Sequence, residues 1–231
     1  MARKKVVMIL LEGCTDEEAL GTFFVDYFTN DKVITNVLFT DITSENSSKP
    51  TTIKAKVGNS IKEKLKQSKL NIRDVIEVIH IVDMDGAYID DAYIYIDPEQ
   101  TTFRYDETGI YCKDKTKVSN RNHRKRQNIE TLRRNTSGIC NGISYHIYYM
   151  SCNLEHVLHG IIAAPKNMKS ELAARFANEY GDNLEKFLGF IKNSNFSVND
   201  SYEKSWEFIT EGLHSLERHT NLGLCFPENR E

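Results

Sequence analysis

The chain has 231 residues, is 40% hydrophobic and 27% charged, and carries a formal net charge of −3. That length suits one sizeable domain or a compact domain with an extension, and the composition excludes a disordered chain. The slightly acidic balance excludes a global basic field, so any attraction for nucleic acid has to come from a local patch.

Residues 1–13 read MARKKVVMILLEG. The basic start and the apolar run Val6–Leu11 imitate a signal peptide. The run nevertheless stops at Glu12, short of the roughly 7–15 residues of such a core or the ~20 of a membrane span. It reads instead as a central parallel strand buried on both faces. Thr15 with Glu18 three residues on forms a capping-box signature for a helix over about 16–29, with an apolar face of Ala19, Leu20, Phe23, Phe24 and Tyr27. Val33–Asp41 reads as the next strand, Ser44–Lys54 as a polar segment, and Gly58–Lys69 as a lysine-rich surface helix.

Val75–Val82 (VIEVIHIV) is the second strongly apolar β-type run, and it ends at Asp83-Met84-Asp85-Gly86. Alternating aromatics over 92–113 and the turn signal Asp106-Glu107-Thr108-Gly109 predict a small β excursion. Asn120–Arg134 reads as a basic helix and Ile143–Tyr149 as a further strand, followed by helices over about 153–163, 167–179, 182–192 and 201–217. The order predicts an α/β fold with a central, mainly parallel sheet flanked by helices over 1–164, and a helical C-terminal region over 165–231 packed on it. Five scattered cysteines (Cys14, Cys112, Cys140, Cys152, Cys225) never form CxxC, which argues against a disulfide framework and for a reducing cytoplasm.

Two apolar strands thus end in acidic residues, one at Glu12-Gly13 and the other at Asp83-Met84-Asp85-Gly86. Open parallel sheets bind ligands beyond the carboxyl ends of their strands. If these two strands are neighbours, three carboxylates converge there. Two unit charges ~5 Å apart repel by roughly 3 kcal/mol at an effective dielectric near 20. A hard cation such as Mg²⁺ or Mn²⁺ relieves that repulsion through oxygen ligands, and can polarise a phosphate and activate water. Each element alone also reads as a strand-end turn, because DxDG often does no more than turn the chain.

LLEGCTDEEAL resembles the first motif of TOPRIM domains, a strand ending in Glu-Gly before a Thr/Ser–Asp/Glu pair that opens a helix, and IVDMDG resembles their second, the DxD motif on a later strand. TOPRIM domains occur in topoisomerases, primases and OLD-type or RloB-type nucleases. The resemblance implies that Glu12, Asp83 and Asp85 bind the metal, with the glutamate also acting in proton transfer. Met150-Ser151-Cys152-Asn153-Leu154-Glu155-His156-Val157-Leu158-His159 is similar to the segment after the last sheet strand of RloB-type proteins, where a Ser-Asn element precedes a helix with a glutamate and a later histidine. The usual proline after Ser-Asn is missing here, and Cys152 intervenes. This likeness implies that Glu155 supplies a further metal ligand or orients a water, with His159 four residues on along the same helix face; His159 or Lys125 is the candidate to stabilise negative charge. The resemblance covers about residues 5–160.

The implied activity is metal-dependent phosphodiester hydrolysis of DNA or RNA with Mg²⁺ or Mn²⁺ ions, in the branch associated with antiphage defence. Members are often encoded beside ABC-type ATPases, which implies such a partner, and the chain has no GxxxxGK[ST] of its own. The densest basic stretch, Arg121 to Arg134, offers Arg121, Arg124 and Lys125 as nucleic-acid contacts; the plainer alternative is a solvated helix face. Other readings stay open. These are a primase-type transferase, a non-catalytic TOPRIM-like binding or adaptor protein, and a phosphatase resembling haloacid dehalogenases through DMDG and Asp90. In that last family the motif stands on the first strand, whereas here α/β elements precede it. A zinc set of Cys140, Cys152, His156 and His159 can be drawn, but its spacing C-x11-C-x3-H-x2-H matches no usual finger.

Overall fold

The computed structural model describes residues 4–39, 42–43, 52–135, 139 and 142–228. Four strands form one all-parallel sheet: β1 (Lys5–Leu11), β2 (Val33–Phe39), β3 (Val75–Asp83) and β7 (Ser144–Met150), in the order β2-β1-β3-β7. β1 is central, and Val6 to Leu11 are all buried. Because successive side chains leave a strand on opposite faces, the two halves of that run feed two separate cores. Val7, Ile9 and Leu11 join one face, and Val6, Met8 and Leu10 join the other.

The first face is covered by α1 (Cys14–Phe28), α5 (Lys169–Tyr180) and α6 (Leu184–Asn193). Its centre is aromatic: the rings of Phe23 and Phe187 stack at 4.0 Å, and Phe176 meets Phe23 edge-on at 6.1 Å. The second face is covered by α2 (Ile53–Gln67), α3 (Lys115–Arg133) and α7 (Tyr202–Ile209), with Val57, Ile61, Ile129 and Trp206 buried against the strands. The C-terminal helices therefore contribute to both faces of the sheet. Between β3 and α3 lies a small second sheet, β4 (Ile94–Ile96), β5 (Arg104–Asp106) and β6 (Gly109–Cys112), in the order β4-β6-β5. Its hairpin turns where expected, with Asp106 accepting the Thr108 backbone N–H at 2.9 Å.

Several boundaries differ from the sequence-based ones for identifiable reasons. α1 starts earlier, because Gly13 is the cap residue and the Asp16 carboxylate, rather than the Thr15–Glu18 pair, accepts the Gly13 N–H at 3.0 Å. α3 also starts earlier, where the Asp114 carboxylate accepts the Lys117 N–H at 3.0 Å. A short helix, α4 (Leu154–His159), stops well before residue 163 because Gly160 takes a left-handed φ of 72°. α7 ends at Ile209 and gives way to turns rather than running on to 217. The end of the second predicted strand and most of the polar segment, residues 40–41 and 44–51, lie outside the described residues. No described helix is long and apolar enough to cross a membrane.

Candidate metal centre

The two acidic strand ends meet because β1 and β3 are paired in parallel, with Leu10 opposite His80. Two residues past Leu10, Glu12 reaches across the gap, and its Oε2 accepts the Asp83 backbone N–H at 3.2 Å. Its other oxygen accepts the Thr43 hydroxyl. Beyond Asp83 the β3–β7 ladder does not simply end. Met84 N–H donates to the Met150 carbonyl at 2.9 Å, and Asp85 N–H donates to Cys152 O at 2.7 Å. Asp85 and Cys152 are both left-handed, with φ 48° and 53°, so the two segments turn out of the ladder at matching positions. Gly86 follows at φ 65°, and a Cβ there would lie 2.6 Å from Leu216 Cδ2. The glycine of the DxDG motif is therefore favoured by its conformation, and a methyl there would also require the Leu216 side chain to shift.

Lys125 of α3 is wholly buried beneath this turn, with Nζ 2.5 Å from Asp85 Oδ2 and 3.3 Å from Glu12 Oε2. Burial alone would drive its ammonium toward neutrality, but Asp85, Glu12 and Asp83 outweigh that and hold its pKa above the ordinary value. One turn earlier Arg121 donates to the Asp85 carbonyl at 2.7 Å and to the Tyr105 hydroxyl at 2.6 Å. Although burial pushes the Asp85 carboxyl up, Lys125 and then Arg121 pull its pKa below the usual carboxylate range.

Asp83 behaves in the opposite way. Its side chain makes no hydrogen bond or ion pair among the described residues, and burial, then the charges of Asp16, Glu12 and Asp85, hold its pKa well above normal. Asp16 is raised to about 6 by burial and by Glu155. Lys169, at the start of α5, pairs with Glu155 at 3.0 Å, and the pull of that carboxylate outweighs the effect of burial and raises the lysine's pKa. Five carboxylates (Glu12, Asp16, Asp83, Asp85, Glu155) thus share one edge with three cations (Arg121, Lys125, Lys169), a surplus of two negative charges when all are ionised. Glu12, Asp16, Asp83, Asp85 and Lys169 line an open cleft of about 220 Å³.

No family model, curated protein or solved structure matches the chain. The chemistry of the cleft therefore has to be read from its own side chains. A hard divalent cation fits it on two counts: the anionic donors are oxygens, and their charge exceeds that of the neighbouring cations by the amount one such ion carries. Among the described residues no group of three or more His, Cys, Asp or Glu side chains stands in a ready ligating arrangement; Glu12 and Asp85 are drawn to the Lys125 ammonium.

Of the sequence-derived candidates, Glu12, Asp83 and Asp85 come together, and Glu155 lies behind them as the partner of Lys169. His159 stands apart: Arg175 meets its Nδ1 at 3.3 Å, its ring lies against Phe176, and burial followed by Arg175 lowers its pKa. Lys125, expected to face a polynucleotide, is fully buried and cannot do so. Arg121 is turned toward Asp85, and Arg124 is half-buried on the same helix. Asp90 is exposed and caps the turn at residues 91–93, accepting the Ala92 N–H at 2.8 Å. Cys140 of the zinc set lies outside the described residues, and Cys152 is buried. Two members of the cluster were not singled out from sequence. Asp16 carries a usable signal, standing four residues after Glu12 at a helix start, whereas Lys169 lies more than 80 residues from Asp85 and carries none.

Proposed function

We propose that this chain is a divalent-metal-dependent nuclease of TOPRIM type, hydrolysing phosphodiester bonds at the Glu12–Asp83–Asp85 cleft. The observation that carries the reading is the Asp83 carboxylate, in no ion pair among the described residues, crowded by Glu12, Asp16 and Asp85, and facing an open cleft at the carboxyl edge of a parallel sheet. The likeness of LLEGCTDEEAL and IVDMDG to the two TOPRIM motifs supports the same assignment. Bound there, Mg²⁺ or Mn²⁺ supplies charge neutralisation for the phosphate and a more acidic water.

Glu12, Asp83 and Asp85 would hold the ion. Lys125 fixes the carboxylates of Glu12 and Asp85 from below, and Arg121 secures the Asp85 backbone. Lys169 lines the cleft and would meet the phosphate, while Glu155 orients Lys169 and is thereby a positioning residue. An ATPase partner and a role in antiphage defence follow from the same resemblance, and a cytoplasmic setting from the scattered cysteines; all three form part of the proposal.

A second reading has an observation of its own. The Lys125 ammonium already neutralises Glu12 and Asp85 in part, as a structural lysine would in a non-catalytic TOPRIM-like binding or adaptor protein. One experiment separates the two. Purified protein is incubated with Mg²⁺ or Mn²⁺ and a panel of DNA, tRNA and rRNA, beside Asp83→Asn. Among the described residues Asp83 has no hydrogen-bond or ion-pair partner to lose, so this variant should fold normally yet lose cleavage by at least about a hundredfold. A wild type that cleaves nothing favours the adaptor, and an Asp83→Asn variant as active as wild type overturns the site.

A further inference from the structure

The 220 Å³ cleft does not close on itself. Asp83, Asp85 and Lys169 also line a second cleft of about 480 Å³, walled by residues 102–105 of the small sheet on one side and by Asn153 and residues 162–166 on the other. That cleft shares Gln100, Thr102 and Phe103 with a third of about 840 Å³, which continues past Ile96 to Lys113, Lys115 and Lys117 at the start of α3. We infer that these adjoining clefts form a track for single-stranded nucleic acid, leading one phosphodiester to the carboxylates. The inference rests on the proposed nuclease site and names the class of strand it would accept.

Charge along the track supports this. Lys166 flanks the middle section, and Lys113, Lys115 and Lys117 the far end. Arg104 and Lys169 also line the middle section but are paired, with Asp106 at 2.8 Å and Glu155 at 3.0 Å, and Asp114 at the far end caps α3. Beyond the metal-binding carboxylates, the walls therefore favour an anionic chain, whose phosphates release counterions on pairing with such cations. Phe103, half-buried in the wall shared by both outer clefts, offers a ring on which a base can stack, with the Arg121 guanidinium 5.4 Å from its centroid.

A single strand fits better than a duplex for a mechanical reason. Duplex DNA is stiff over about 150 base pairs, and its phosphates lie on a broad cylinder that cannot sink to carboxylates recessed between the small sheet and the 162–166 segment. An unpaired strand bends at each nucleotide. A free mononucleotide would leave the lysines at the far end of the track without a role. The track also differs from the helix strip suggested by sequence, since Arg121 and Lys125 face inward.

The test is fluorescence anisotropy with a labelled oligonucleotide of about 12 nucleotides, as single-stranded DNA, single-stranded RNA and duplex. It uses the full chain carrying Asp83→Asn, without divalent ion, at about 50 and 200 mM salt. On that background, the double change Lys113→Glu and Lys117→Glu should weaken single-strand binding at least about tenfold and flatten its salt dependence. The matched change Lys62→Glu and Lys66→Glu on α2, away from the track, should leave both unaltered. Unchanged binding by the Lys113/Lys117 variant, duplex binding as tight as single-strand binding, or no binding at all each overturns the track. Wild-type cleavage is scored separately. A protein that binds through these lysines and cleaves nothing refutes the nuclease and keeps the track, whereas one that cleaves normally with both lysines reversed refutes the track and keeps the nuclease.

Discussion

Across the middle of the parallel sheet, β1 places Val6 to Leu11 wholly out of water among aliphatic and aromatic neighbours. One residue beyond the end of that strand, Glu12 faces Asp83, Asp85 and a buried lysine. The middle is stable because transfer of apolar area from water and close packing act in the same direction. At the edge the terms oppose one another: burial disfavours every charge, and only cations and backbone N–H groups offset it. Substitutions should therefore behave differently in the two regions. In the middle, the loss should follow volume removed. At the edge it should follow which charge is left alone, and removing some charges should cost nothing.

The sharpest break in that comparison is Lys125→Met. It keeps an apolar stem of similar length but leaves Glu12 and Asp85 without their buried cation, a change expected to cost about 3–5 kcal/mol. Urea denaturation of wild type, Lys125→Met and Asp83→Asn measures it. Asp83→Asn should lose no stability, because its raised pKa means that the fold already disfavours the charged form. A neutral Lys125→Met would show that the edge is governed by packing, like the core.

Divalent metal should act in the opposite direction. At a concentration of about 100 times the dissociation constant, an ion that binds only the folded state adds roughly 2.7 kcal/mol, visible as a rise in Tm with Mg²⁺ or Mn²⁺ over Na⁺ at equal ionic strength. Asp83→Asn should abolish the rise. Lys125→Met should enlarge it, since the cluster then carries one more uncompensated negative charge. An equal rise in all three proteins would place the metal elsewhere.

Gly86→Ala tests how far the edge depends on its backbone. The left-handed conformation costs a non-glycine residue about 1–2 kcal/mol, and the new methyl would meet Leu216 at 2.6 Å. A loss of about 2 kcal/mol in the same denaturation assay is expected, and one below about 0.5 kcal/mol would mean that the Asp85–Gly86 turn adapts freely.

These residues also show what could be read from the chain in advance. β1 and β3 were legible because a strand buried on both faces must be continuously apolar, whereas their pairing was only a condition for the acidic ends to converge, and it is the structure that makes them neighbours. The inward turn of Lys125 was legible too, though masked by its neighbours. Val118, Asn122, Lys125, Ile129 and Leu132 are the buried residues of α3, spaced four, three, four and three apart, so the lysine lies in an apolar stripe. The basic density of 121–134 drew attention to charge at the expense of period. Lys169 was not legible, because its place beside Glu155 depends on α5 docking against α1, a tertiary event with no local signature. The end of α4 at Gly160 was visible as a glycine, but the helical pattern around it gave no reason to prefer a stop over continuation.

The last test is a difference of slope with pH, and it probes the edge through a residue that the motif did not emphasise. Asp16 has a folded pKa of about 6 against an ordinary value of 3.8, because burial and then Glu155 disfavour its charge. The fold thus favours the protonated form. Its contribution to stability is complete below about pH 4, declines as pH rises, and is lost above about 6. Asn at this position has no proton to lose and can still accept the Gly13 N–H that starts α1. In metal-free buffer, the stability of Asp16→Asn relative to wild type should therefore increase from about pH 4 to about pH 6 and level off above that, as read by urea denaturation at each pH. A difference that stays flat, or falls, over that window would mean that Asp16 is relieved of its charge repulsion in some other way.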